Sequence, residues 1–261
     1  MFDRDAHQAE VEAFRARRDA RYHSPEGWLT LVERTPLEPG RTELPFGAVI
    51  IEAGRAPRVE VAPGAAVTRA GAPLAGTVEI VADEAGVKGD VLHHAGRTYD
   101  VFRRDDDHAL RVRDPDAPAR LAFAGMPVYP IDPRWRVEAE LERLAEPRWD
   151  EVPHTDGAEG KAPCIGTARF TLEGVAQSLL VYDEVSTQRL YVPFLDPTNR
   201  EETYGGGRMM YAPIPAPGAP LVLDFNMAFN PPCALNSLVS CPLPPRENRL
   251  AVPVRAGEKR P

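Results

Sequence analysis

Seven residues in the last quarter of this 261-residue chain have side chains and spacing suited to chemistry. Asp196, Asp224 and Glu258 are carboxylates, the usual general acids and bases, and they are the candidate catalytic residues. Arg208, Asn226, Asn230 and Tyr204 add a cation, two amides and a phenol, and they are the candidate ligand-binding residues. Arg208 follows Gly205-Gly206-Gly207, a run without side chains that lets backbone approach a ligand closely. Its guanidinium can clamp a carboxylate or phosphate in bidentate fashion. In Asp224-Phe225-Asn226 the two-residue period of a strand puts Asp224 and Asn226 on one face and Phe225 on the other. Such a set can hold a small polar or anionic molecule, with one carboxylate as base. The same residue types also satisfy loop backbone where prolines cannot pair with themselves. A ligand site and a loop-stapling network are therefore both open. The first makes the chain a small-molecule-binding enzyme, and the second a non-catalytic binding or scaffolding protein.

The cysteines and histidines narrow the chemistry. Cys233 and Cys241 are eight apart, each beside proline. They can be packed thiols, a disulfide closing a short loop, or part of a metal or nucleophile site. Zinc sites use paired short spacings such as C-x₂-C, and this chain has none. His93 and His94 are adjacent, so in a strand they face opposite ways. No Walker A, GxSxG or HExxH pattern occurs, and Gly205-Gly206-Gly207-Arg208 lacks the Lys-Ser/Thr of a phosphate loop. The residues call for no metal and no cofactor.

The elements that must position these residues are mostly strands. Residues 3–22 form the one clear helix, with Asp3 and Asp5 at its start and Arg15, Arg17, Arg18 and Arg21 towards its end. Val11 and Phe14 give it a narrow apolar stripe, so it reads as an arm, residues 1–25, packed on a β-rich domain, 26–261. Candidate strands follow at 27–32, 46–52, 59–62, 76–82, 87–94, 97–104 and 108–113, the fifth and sixth joined by Ala95-Gly96. Trp135 to Glu142 alternates apolar and polar residues most cleanly. Residues 147–163, rich in Pro and Gly, read as a long loop or a break between two halves. Strands resume at 165–172 and 175–182, then 189–195, 220–225 and 250–254. Short strands without intervening helices predict an all-β antiparallel sandwich or barrel with one N-terminal helix.

Composition agrees. Thirteen of 28 prolines lie from Pro193 on, so the last quarter must be short strands joined by rigid loops. Thirty-one basic against 39 acidic residues give a net charge of −8, which argues against nucleic-acid binding. No apolar run is long enough for a membrane helix. The charged N-terminal residues and three cysteines suggest a cytoplasmic protein. The expected partner is a small polar or anionic molecule, not nucleic acid or membrane, and oligomeric state is open.

Four blocks carry a family resemblance: F194-L-D-P-T-N-R-E-E-T-Y-G-G-G-R208, D224-F-N-M-A-F-N-P-P-C-A234, C241-P-L-P-P-R-E-N248 and A256-G-E-K259. They resemble the C-terminal signature of DUF1684, a prokaryotic family known only as a domain of unknown function. Gly27-Trp28-Leu29, Arg111 to Asp114, Phe123-Ala124-Gly125 and Trp135-Arg136-Val137 also fit its pattern. Met227 departs from it, standing where a basic residue is expected. The resemblance implies kinship and brings no activity.

Overall fold

A computed structural model describes residues 2–84, 86–184 and 188–261. The chain packs as two compact units, Met1–Arg21 with Ala124–Pro261, and Tyr22–Phe123. It is almost entirely antiparallel β, as the strand spacing predicted.

The N-terminal helix α1 (Arg4–His23) begins where the Asp3 carboxylate accepts from the backbone N–H of Asp5 and Ala6, at 3.1 and 3.0 Å. The second unit holds β1 (Leu31–Leu37), β2 (Gly40–Leu44), β3 (Gly47–Ile51), β4 (Arg58–Val61), β5 (Thr68–Arg69), β6 (Ala72–Pro73), β7 (Gly76–Glu79), β8 (Leu92–His94), β9 (Arg97–Arg104) and β10 (Asp107–Arg113), then the single-turn α2 (Pro118–Leu121). Its sheets, ordered β1-β10-β9-β8-β5-β6 and β2-β3-β4-β7, share a core that includes Phe46, Val49, Val59, Leu92, Tyr99 and Val101. Ala95-Gly96 is the predicted hairpin turn, both residues with positive φ.

The first unit adds β11 (Arg136–Pro153), β12 (Glu159–Leu172), β13 (Val175–Glu184), β14 (Arg189–Phe194), β15 (Arg208–Ala212) and β16 (Leu221–Asp224). They form one sheet, β15-β14-β13-β12-β11-β16, whose end strands β15 and β16 lie against each other, so it curls almost into a barrel. Trp135, Leu179, Val192, Leu221, Leu223 and Phe225 fill the interior.

Four local expectations change. Residues 147–163 are not a loop: they complete β11 and begin β12, joined by a short turn within the first unit. Beyond Ala139 the β11 ladder runs to β12 alone, and Pro147 falls in a register shift between Arg143 and Arg148, so prolines and glycines are tolerated there. Trp28–Thr30 form a 3₁₀ turn, and the first strand starts at Leu31. Leu250, Val252 and Val254 are buried in alternation but form no strand; the chain beside them makes only an isolated parallel bridge of Arg249 with Leu195, just past β14. Asp224 and Asn226 do not share a strand face: the strand stops at Asp224, which caps a 3₁₀ turn over Phe225–Met227.

Candidate functional site

Most of the C-terminal polar residues are buried, Asp224 and Tyr204 half-buried, and their hydrogen bonds link loops. Arg208 opens β15 and has no exposed surface. Its Nη2 donates to Asp196 Oδ2 at 2.6 Å and to the Val254 carbonyl at 2.8 Å, and its Nη1 donates to the carbonyls of Ala256 (2.5 Å) and Glu258 (3.3 Å). The guanidinium also lies over the Phe194 ring, 5.2 Å from its centre. Desolvation lowers the Arg208 pKa, and the Asp196 carboxylate opposes that shift. The glycines before Arg208 serve the chain's own packing. Gly207 has φ +89°, and a Cβ there would stand 2.7 Å from the Phe194 carbonyl oxygen and from Pro244 Cγ.

Asp196 spends its other oxygen locally. Oδ1 accepts from the Thr198 backbone N–H at 2.7 Å and from the Thr198 hydroxyl, which also bonds Thr203 at 2.8 Å. Asn248, not singled out by sequence, is fully buried and ties three segments: it accepts from the Leu180 N–H (2.6 Å) and donates to the carbonyls of Leu180 (2.9 Å) and Pro193 (2.7 Å).

The other predicted residues meet helix α1. Asp224 Oδ2 bonds His7 Nε2 at 2.6 Å, and its Oδ1 accepts from the Asn226 backbone and amide, at 3.0 and 2.9 Å. Asn226 also holds both the N–H and the carbonyl of Asp132 at 3.0 Å. Glu258 accepts from Arg18 Nε (2.5 Å) and from the Asn230 N–H (2.7 Å). Asn230 donates its amide to the Lys259 carbonyl at 2.7 Å. Arg18 lies 4.1 Å over the Phe229 ring, and Arg15 reaches the Asn226 carbonyl at 3.5 Å. Burial lowers the Arg15 pKa, opposed by Glu258 and Asp224.

His7, Arg15 and Arg18 are the functional-looking residues that the sequence reading passed over as helix composition. Their signal was their spacing: positions 7, 11, 15 and 18 lie on one helix face, with Val11 fully buried among them.

Tyr204 stands apart. Its hydroxyl donates to Cys233 Sγ at 3.6 Å, beside Cys241. The structure thus brings Asp196 to Arg208, Asn226 to Asp224 and Asn230 to Glu258, and places Tyr204 with the thiols. Two open clefts, of about 860 and 770 Å³, lie beside Glu138–Leu141 with Ile214–Pro220, and beside Ile51–Pro57 in the second unit. None of the seven predicted residues lines either cleft. Among the described residues no group of three or more His, Cys, Asp or Glu could hold a metal ion, and no helix is long and apolar enough to cross a membrane.

This is an all-β protein with its most distinctive polar residues concentrated in the C-terminal loops. A family model described as a protein of unknown function, DUF1684, matches residues 121–259, just over half of the chain, and the chain belongs to that family. Gly27-Trp28-Leu29 and Arg111 to Asp114 lie before the matched region. A solution NMR structure of an uncharacterised protein from Haloarcula marismortui is 34% identical, covering 54% of this chain and 78% of that one, with a TM-score of 0.45. A search of curated proteins finds no match.

Proposed function

We propose that this chain is a non-catalytic β protein of the binding or scaffolding kind, in which Asp196, Arg208, Asn226, Asn230 and Glu258 staple a proline-rich segment rather than hold a ligand. The observation that carries this is the full burial of Arg208 against one carboxylate and three carbonyl oxygens. A ligand-clamping arginine keeps a fork free for its ligand, whereas here both terminal nitrogens are engaged by the chain itself. The test is a thermal-shift comparison of wild type and Arg208→Lys, with and without metals and small anionic metabolites. The expected result is an earlier melt for the variant and no ligand-induced shift in either protein. A wild-type shift that Arg208→Lys loses while its apo melting temperature holds would establish a ligand site instead.

One observation favours the enzyme reading. His7 is buried with Nε2 on Asp224, and its Nδ1 has no partner among the described residues. In that reading Asp224, with Glu258 and Asp196, supplies acid–base chemistry to a small polar or anionic molecule held by Arg208, Asn226, Asn230 and Tyr204. His7→Gln separates the readings: only the enzyme reading has a ligand-induced shift for this variant to lose. A cytoplasmic, prokaryotic setting belongs to the proposal, and the three free cysteines support the cytoplasmic part of it. The net charge of −8 supports the exclusion of nucleic acid.

A further inference from the structure

Two of the three cysteines meet in a loop cluster that the stapling network does not use. Cys233 sits in a 3₁₀ turn over Pro232–Ala234, and Cys241 precedes Pro242, so both backbones are held by neighbouring prolines. The Cys233 backbone N–H donates to Cys241 Sγ at 3.3 Å, which brings the Cys241 sulfur onto the Cys233 backbone. The Tyr204 hydroxyl donates to Cys233 Sγ at 3.6 Å, and Thr155 holds the Cys241 backbone N–H at 3.1 Å. Cys241 is buried, Cys233 is half-exposed, and neither is in a disulfide. Cys164 lies away from them in β12, fully buried, its thiol donating to the Gly166 carbonyl.

We propose that Cys233 and Cys241 are a reversible oxidation site, with Cys233 as the attacking thiol and Cys241 as the resolving thiol, responsive to hydroperoxides. Cys233 is the partly exposed residue that an oxidant can reach, and the buried Cys241 sulfur lies against its backbone. The Cys233 thiolate attacks the terminal peroxide oxygen. The O–O bond breaks, the leaving oxygen departs as water or alcohol after protonation, and Cys233 becomes a sulfenic acid. The Cys241 sulfur then attacks the Cys233 sulfur, its proton leaving with the hydroxyl as water, and the S–S bond forms. Two thiols and one hydroperoxide give one disulfide, one water and one water or alcohol. A dithiol reductant reverses the change. The absence, among the described residues, of a third His, Cys, Asp or Glu grouped with the pair favours thiol chemistry over metal binding. A shift of the Cys233 thiol below its ordinary value, caused first by the hydrogen bond from Cys241 and opposed by burial, agrees with the attacking role.

The test treats the full chain with hydrogen peroxide, counts thiols after denaturation, and maps peptides without reductant. The expected result is a fall from three titratable thiols to one, a mass loss of about 2 Da, a 233–241 cross-link, and recovery with dithiothreitol. In Cys241→Ser, a dimedone-type probe should label Cys233, and in Cys233→Ser it should leave Cys241 unlabelled. Three thiols persisting in the treated wild type, or a cross-link made through Cys164, would overturn the site. Labelling of Cys241 in Cys233→Ser at the rate seen for Cys233 would overturn the assignment of roles. The wild-type arm decides the site even where a variant fails to fold.

Discussion

Arg208 and Gly207 show how single positions hold the C-terminal segment. A buried cation needs its hydrogen bonds met from within, and Asp196 with the carbonyls of Val254, Ala256 and Glu258 does this for both terminal nitrogens, while Nε has no partner among the described residues. Gly207 permits it, because β15 passes so close to Phe194 that a side chain would meet its carbonyl. Gly207→Ala should therefore cost about 1–3 kcal/mol, the scale of a strained left-handed residue in a crowded place. Urea unfolding checks this, and a change within about 0.5 kcal/mol, the surface scale, would contradict it. Cys233 gives a second prediction at this scale. Its thiol is lowered to about 7, first by the hydrogen bond from Cys241 and further by Tyr204 and Thr155, against burial. The thiolate is the nucleophile, so iodoacetamide alkylation of Cys233 should rise with pH around a midpoint near 7. Tyr204→Phe removes one donor and should move that midpoint upward. A wild-type midpoint at the ordinary thiol value of about 8.5 would count against the hydrogen-bonded pair. The sequence made residue identities legible: all seven predicted residues are buried or half-buried polar groups with partners. It could not show that the partners are one another, because carbonyls far along the chain carry no residue type.

Helix α1 was legible as an element and misleading as a chemistry. Its caps and arginine-rich end mark its limits, but its apolar stripe is narrow, and the sequence offered only Val11 and Phe14 to hold it. In the fold its attachment is largely polar: His7 on Asp224, Arg15 on the Asn226 carbonyl, Arg18 on Glu258. The helix thus supplies hydrogen-bond partners for two of the three predicted catalytic carboxylates. Arg18→Ala should leave the buried Glu258 carboxylate without its cation and cost about 3–5 kcal/mol. Hydrogen exchange should then accelerate along α1 before it does in β13. Unchanged α1 protection in the variant would show that Val11 and Phe14 suffice to dock the helix. The β11–β12 hairpin failed in the opposite direction. Its residues carry loop composition, and most of β11 from 142 onward is exposed, so no alternation marks it. A ladder with one partner strand tolerates what a central strand excludes.

Across the whole molecule the antiparallel class and most of the longer strands were readable, because alternation and turn residues recur through both units, but β2, β5, β6 and β15 were not. The division into units was not, since the first unit joins Met1–Arg21 to Ala124–Pro261 across a hundred intervening residues. The proline-rich C-terminal quarter is part of that unit's interior: Phe194, Met210, Leu221, Leu223, Phe225 and Val254 all belong to its core. A chain ending at Gly218 should therefore lose the strand signal of the first unit in circular dichroism, and retention of it would mean that the tail is an accessory. The stapling account itself is tested most directly by a double-mutant cycle on the Asp196–Arg208 pair, read by urea unfolding of Asp196→Asn, Arg208→Met and the double variant. The account predicts that each single change costs about 3–5 kcal/mol, by stranding a buried partner. It predicts that the double variant costs far less than the sum, a coupling of at least about 2 kcal/mol. Single variants as stable as wild type, with no coupling between them, would contradict it.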